Sequence, residues 1–394
     1  MTTRTTHPAL VTLALAMGAF AIGTTEFAAM SLVPFFARDL HITEPQAGHA
    51  ISAYALGVVV GAPVIAVLAA KIERRTLLIG LMALFAIGNG VSALAPSYPM
   101  LLVFRFLSGL PHGAYFGIAA LVAASLVPDN KRAQSVAMVM SGLTVATIIG
   151  VPLANWLGQA LGWRSGFAVV SVLALVTMAL VALFAPRQPA NANASPLREL
   201  GALRRPQVLL TLLTGAVGFG GLFCVYTYVA STMMEVTGVS EKWVPAVLAI
   251  FGIGMTAGNL FWAWMADRAQ NRAAIGALLF SAVSLALFSV FAGNIWTLCV
   301  VVLLIGFGGG IGTVLQTRLM DVAGDAQALA AAAHHSAFNT ANALGPWLGG
   351  MAISAGYGLT STGWIGAALS LGGLLIFLFT ISLHKQDGLR ASVA

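Results

Sequence analysis

The amino-acid sequence predicts an all-α protein that crosses a membrane twelve times, and three observations carry that expectation. Of its 394 residues, 59% are hydrophobic and only 8% are charged, against roughly 25% charged residues in a soluble domain. Apolar stretches of about 20 residues recur from end to end, each long enough to cross about 30 Å of hydrocarbon as a helix. None of them alternates polar and apolar residues at every second position, as barrel strands do. Helices satisfy their own backbone in lipid, so a helical bundle follows.

The spans fall near 9–34, 45–69, 76–96, 98–126, 133–158, 165–185, 207–232, 243–266, 273–291, 295–317, 328–353 and 359–382. Basic residues divide sharply between the two sets of connecting segments. With the N-terminus inside, the inner segments hold Arg4, Lys71, Arg74, Arg75, Lys131, Arg132, Arg187, Arg198, Arg204, Arg205, Arg268, Arg272, Arg318, Lys385 and Arg390, whereas the opposite face holds Arg38, Arg164 and Lys242. This positive-inside pattern supports an even number of spans with both ends in the cytoplasm. The net charge of +7 is thereby a topology signal and calls for no nucleic acid. The first apolar run is too long for a cleavable signal, and no small-residue cleavage site follows it. Cys224 and Cys299 both lie in apolar spans, which does not favour a disulfide.

A Pro/Ala/Asn-rich segment from Pro186 to Pro196, followed by the short basic amphipathic stretch Leu197 to Pro206, splits the chain. The expected units are an N-terminal six-helix bundle (1–185), a cytoplasmic linker (186–206) and a C-terminal six-helix bundle with a short tail (207–394). An internal repeat supports this pseudo-symmetric division. Gly57 and Gly61 lead into Lys71, Arg74 and Arg75, as Gly254 and Gly258 lead into Asp267, Arg268 and Arg272. Pro152 and Trp156 in the fifth span echo Pro346 and Trp347 in the eleventh. Two repeats facing a central site are the architecture of alternating-access carriers.

Glu26 is the single carboxylate inside any of the long apolar runs; every other acid lies in or beside a polar break. An ionised, unpaired carboxylate at that depth costs several kcal/mol, so it must protonate, find a partner or face water. All three outcomes fit proton-linked transport, although a permanently protonated structural acid is the alternative.

Several segments together resemble the major facilitator superfamily, in particular its twelve-helix drug:proton antiporters. Gly23-Thr-Thr-Glu26-Phe27 through Pro34, ending in Ala37-Arg38-Asp39-Leu40, is similar to the first-helix motif of that group. Phe104-Arg105-Phe-Leu-Ser-Gly109 with Gly113 resembles the fourth-helix motif, and Gly142 through Gly150-Val-Pro152 the fifth-helix motif associated with antiporters. Ala47-Gly48-His49 through Pro63, with Pro111-His112-Gly113, is close to the bacterial arabinose-efflux-like and sugar-efflux branch, and that resemblance implies the inner membrane of a bacterium. The loop after the second span departs from the family: Ala70 stands where an acid is usual and Glu73 where a glycine is usual, while Asp267 keeps the acid in the second copy. The resemblance implies a weaker N-terminal latch, or one that uses Glu73.

Depth arithmetic pairs Glu26 with Arg105. Counting about eight and about seven residues from the outer ends of their spans, at 1.5 Å per residue, both lie roughly 11 Å below that surface. In the facilitator fold the first and fourth helices line one cavity, so the resemblance implies contact directly or through water. An arginine there favours the ionised carboxylate and an apolar wall the protonated one, a sufficient proton switch. Arg105 can equally be a residue that satisfies helix carbonyls. Ser108 and His112 lie on the face of Arg105; His112 is a candidate for proton relay or substrate contact, and equally a packed hydrogen-bond donor.

The C-terminal half supplies neutral polarity. His335, Asn339 and Asn342 fall at i, i+4 and i+7 on one helical stripe, and Gln316 lies in a glycine-rich tenth span. Tyr226 is a candidate cavity aromatic, with interfacial anchoring the favoured alternative. His334-His335 lacks a third ligand at metal spacing, so no metal is expected. The expected function is export of a small organic solute in exchange for protons, driven by the gradient without a cofactor, by a monomer in the lipid bilayer. A facilitator or importer of a sugar or nucleoside is the alternative. A membrane enzyme is disfavoured, since there is no HExxH, no paired intramembrane acids and no phosphate-binding loop.

Overall fold

The structure, a computed structural model, describes residues 7–68, 71–128, 131–187, 205–323 and 327–393. Most of the linker and the Ala70 position therefore lie outside the described residues. The first span is α1 (Pro8–Ser31), continued after a bend by α2 (Val33–Asp39). The bend sits at Pro34, which has no N–H for the helix ladder and whose ring opposes the carbonyl one turn back. Next come α3 (Glu44–Leu68) and α4 (Arg74–Ala93), then α5 (Tyr98–Gly109) and α6 (His112–Ser125), two halves of one span separated at Leu110-Pro111. The fifth span joins α7 (Arg132–Val145) to α8 (Val151–Leu161) through a π-helical turn, Ala146–Gly150. That wide turn immediately precedes Pro152 and absorbs the hydrogen bond the proline cannot make. α9 (Arg164–Phe184) closes the N-terminal half.

In the second half, α10 (Pro206–Gly218) and α11 (Gly220–Glu235) form one span broken at Phe219. α12 (Val244–Phe291) covers two expected spans without a loop; the separation is a single non-helical residue, Ala269, at φ −157° and ψ 73°. α13 (Ile295–Gly308) and α14 (Ile311–Ala323) meet at Gly309-Gly310, and α15 (Gln327–Ala352) and α16 (Ser361–Val393) complete the chain. Ten helical stretches among the described residues are long and apolar enough to cross a membrane. One of them carries the Ala269 break and counts twice, and α15 is a further span, which gives the twelve expected from sequence.

The glycine repeat is a packing repeat. A methyl group on Gly57 would overlap the Phe106 carbonyl oxygen, and one on Gly61 that of Leu110; in the second half Gly254 meets Leu303 and Gly258 meets Phe307 in the same way. The reverse side matches too: Gly109 abuts the Tyr54 carbonyl and Gly306 that of Phe251. Every residue of the first set has its counterpart at one constant offset along the chain. Two helix pairs thus touch backbone to backbone, which only small residues permit and which lipid cannot drive by hydrophobicity.

The halves face each other through α1 and α11, α3 and α15, and α8 and α12. At the end opposite the termini this seam is closed. Tyr228, which donates to the Pro346 carbonyl of its own half (2.9 Å), sets its hydroxyl over Gly48 of α3, Gln159 donates to the Glu241 carbonyl (2.9 Å), and Ser52 donates to the Ala343 carbonyl (2.8 Å). At the same end Arg164 and Trp163 donate to Asp39, tying α2 to the start of α9. The Arg164 hydrogen bond, then that of Trp163, holds the Asp39 carboxyl below its usual range.

Two predictions follow from this packing. Gly254→Ala forces apart α12 and α13 and should lower stability by about 1–3 kcal/mol, whereas Gly80→Ala, in open space on α4, should raise it by about 0.5–1 kcal/mol; melting temperatures in detergent measure both signs. Asp39→Asn should cost at most about 1 kcal/mol at neutral pH because the pair is exposed. Since the folded-state carboxyl is depressed, that contribution is present above the unfolded value of about 4 and disappears as pH falls through the folded one. Wild type and variant should therefore melt together only in strongly acidic buffer.

Candidate functional site

The central site is assembled from both halves. Glu26, on α1, is buried with 8% of its surface accessible, and its carboxylate accepts one hydrogen bond, from Asn342 Nδ2 on α15 (3.1 Å). Of the two contacts the resemblance implied between Glu26 and Arg105, direct or through water, the direct one is not made. Arg105 is 1% exposed, and its Nη1 donates to Thr25 Oγ1 (3.3 Å), Asn89 Oδ1 (3.4 Å) and Ser108 Oγ (3.5 Å), all within the N-terminal half. Its guanidinium lies over the rings of Tyr54 (4.3 Å) and Phe167 (5.0 Å). Local competition accounts for this. Thr25 and Asn89 are already joined (2.8 Å) and face the arginine, so the guanidinium makes its hydrogen bonds inside its own bundle.

From Arg105 the contacts continue towards the second half. The hydroxyl of the same Tyr54 is 2.9 Å from His112 Nδ1. The His112 ring lies 5.3 Å from Phe116 and 6.4 Å from His335 of α15, and Phe116 stacks on His335 at 5.0 Å with the planes 6° apart. Asn339, one turn along α15, donates to the His335 carbonyl (3.0 Å), and Asn342 returns the circuit to Glu26. The side-chain carbonyl oxygens of Asn339 and Asn342 are buried without a partner, as is Arg105 Nε. Buried polar atoms are nearly always satisfied, so these three stand out as hydrogen-bonding capacity left over at the junction of the halves.

An aromatic wall adjoins this ring. Phe27 packs edge-on against Tyr226 (5.4 Å) and beside Phe223 and Phe251 (6.1 and 6.2 Å), and Tyr226 is 2% exposed and 4.3 Å from Phe251. Tyr226 is therefore an interior aromatic, set between Phe27 of the opposite half and Phe251 of its own, and its burial leaves it no lipid-headgroup contact of the kind the interfacial-anchor alternative expected. Gln316 is half-buried on α14. Ser108 spends its hydroxyl proton on the Arg105 carbonyl (2.8 Å).

The remaining sequence candidates lie at helix contacts. A methyl on Gly142 would overlap the Ala16 carbonyl and one on Gly150 the Thr24 hydroxyl, so the fifth span rides directly on α1 two residues from Glu26. Arg75 donates to the Ala182 carbonyl, Arg74 opens α4, and Asp267 is exposed beside Arg268, which stacks on Trp264 at 4.1 Å. Glu73 accepts from Thr76 in the first turn of α4 (2.7 Å). Sequence reasoning missed Thr25, Tyr54, Asn89 and Phe116. Asn89 was findable as the lone amide inside an apolar run; Tyr54 and Phe116 carried no signal beyond ordinary aromatic packing.

The family model of the Major Facilitator Superfamily matches residues 15–273 and 225–393. The chain is 41% identical over 375 residues to the inner membrane transport protein YdhP of Escherichia coli (strain K12), covering 95% of this chain and 96% of that one. It is 36% identical to a chloramphenicol resistance protein of Streptomyces lividans, covering 84% and 86% of the two chains. Against a probable sugar efflux transporter of Pasteurella multocida (strain Pm70) the identity is 31%, covering 92% and 90%. The crystal structure of a bacterial homologue of the human lysosomal transporter Spinster superposes with a TM-score of 0.74 at 15% identity, over 95% of this chain and 97% of that one. With matches that run through both halves, and a fold shared along nearly the whole length, this chain belongs to the Major Facilitator Superfamily and is a membrane transporter of small molecules.

Proposed function

We propose that the protein exports a small, neutral organic solute in exchange for protons, with Glu26 carrying the proton. The observation that bears most weight is that Glu26 is buried between the halves with a neutral partner, Asn342, and no ion pair among the described residues. A carboxylate locked to an arginine resists protonation; one held by an amide can exist in both states. The names of the chloramphenicol resistance protein and the sugar efflux transporter point to solutes of this general kind.

In this reading residues 1–185 and 207–394 rock about the central ring, the termini are cytoplasmic, and the closed seam is the outer gate of an inner-membrane monomer. Outside protons reach Glu26 when that gate opens and neutralise it, loosening its hold on the ring and releasing solute. Return to the inward-open form lets the proton leave to the cytoplasm. The unfilled acceptors of Asn339 and Asn342 and the rings of Phe27, Tyr226 and Phe251 then receive the next solute. Donor-bearing hydroxylated or amide solutes suit these acceptors, and a strongly anionic one does not. One ionisable carboxylate makes one proton per cycle the simplest stoichiometry.

Reconstitution in liposomes with an imposed pH gradient tests the reading, with labelled chloramphenicol and a panel of labelled monosaccharides as probes. Wild type should accumulate at least one probe uphill only when the gradient is present, and Glu26→Gln should lose that accumulation while still exchanging probe down its gradient. Equal uphill transport by Glu26→Gln overturns the proton assignment. Arg105→Ala should reduce transport at least about tenfold, the loss of one or two charged hydrogen bonds, while the protein still reaches the membrane. A product that is degraded instead would make Arg105 a purely structural residue.

A further inference from the structure

The seam between the halves carries two neighbouring hydrogen bonds onto α15 with different sensitivities to protons. Ser52 of α3 donates to the Ala343 carbonyl (2.8 Å), a neutral bond whose strength does not depend on any titration. One residue earlier, Asn342 donates to the Glu26 carboxylate (3.1 Å), and this bond is charge-assisted only while Glu26 is ionised. Asn342 is fully buried, its amide makes no other hydrogen bond among the described residues, and its carbonyl oxygen is unpartnered among them. The bridge to Glu26 is therefore the one hydrogen bond among the described residues that orients the amide. The titratable groups facing Glu26 do not substitute for it. Arg105 from α5 and Tyr54 from α3 are committed to each other and to Thr25, Asn89 and His112, and His335 of α15 is stacked on Phe116. Tyr226 of α11 is packed among phenylalanines.

An exchanger has a requirement beyond binding. If the empty carrier changes sides without proton or solute, the protonated form carries protons in, the empty form returns, and the gradient is dissipated. Some contact must therefore hold the halves together specifically when Glu26 is ionised and the site is empty. We propose that the Asn342 to Glu26 hydrogen bond is that lock, and that Asn342 is a positioning residue that makes exchange obligatory. The inference rests on the proton-exchange reading above and adds a role that reading does not need. Protonation of Glu26 weakens the bond from one side, and a solute that donates to the free Asn342 carbonyl reorients the amide from the other. Either event releases the halves. Without them the empty carrier stays closed at the seam.

The test needs no solute. Proteoliposomes containing a trapped pH-sensitive dye receive an acid pulse outside, with potassium and valinomycin clamping the potential. Wild type should admit protons no faster than protein-free liposomes. Asn342→Leu, which keeps the volume and removes the amide, should admit them about tenfold faster or more, the factor expected from one hydrogen bond to a charged group. Asn342→Ser, too short to reach Glu26, is measured in parallel in case the leucine variant does not fold and should leak similarly. In Glu26→Gln/Asn342→Leu the leak should vanish, because nothing carries the proton. Asn342 variants that stay proton-tight overturn the lock, and so does a leak that persists in the double variant, which would mark a damaged seam. These outcomes are distinct from failure of the exchange reading itself, which shows as gradient-driven solute uptake surviving in Glu26→Gln alone.

Discussion

The capture of Arg105 by its own bundle is the interaction on which the rest of the site depends. Thr25, Asn89 and Ser108 accept from the guanidinium, and the Tyr54 and Phe167 rings cover it. A buried cation without such partners would seek the nearest carboxylate, and Glu26 would then be fixed as half of an ion pair. Because the cation is satisfied elsewhere, Glu26 turns to the opposite half and takes an amide. One internal bond network thereby decides that the acid lies on the seam between the moving parts.

The same economy governs the helices around it. Backbone contacts at Gly57, Gly61, Gly254 and Gly258 build each half as a rigid body, since no side chain intervenes to yield under load. The seam uses different materials: single hydrogen bonds from Gln159, Ser52 and Asn342, and aromatic rings packed across it. Tight backbone packing within halves and sparse polar ties between them is the distribution expected when the halves move as units. The π-helical turn before Pro152 and the double glycine at 309–310 add local compliance where the spans bend beside the ring.

Neutral chemistry in the second half complements a charged first half. Among the described residues, α15 contributes His335, Asn339 and Asn342 to the ring and no acid or base of permanent charge. Under the proposed exchange, solute recognition and proton carriage are separated in space while sharing Asn342: its amide donates to Glu26, and its carbonyl oxygen has no partner among the described residues.

Composition, span lengths and the basic-residue asymmetry were sufficient for the helical class, and the count of spans follows from them because hydrocarbon thickness sets helix length. The glycine repeat was equally legible, since close backbone packing demands the smallest residue wherever it occurs. Glu26 stood out because a carboxylate among apolar residues is costly in any fold. What no linear pattern could supply was its partner. Depth along the helices matched Glu26 to Arg105 yet said nothing of azimuth, and it is rotation about the helix axes that turned Arg105 inward to Thr25 and Asn89. The same rotation buried Tyr226 against Phe27 and brought Asn342 across more than three hundred positions to the acid. Contacts between bundles are long-range and depend on how twelve helices share one interior, and that is decided only when the chain is packed.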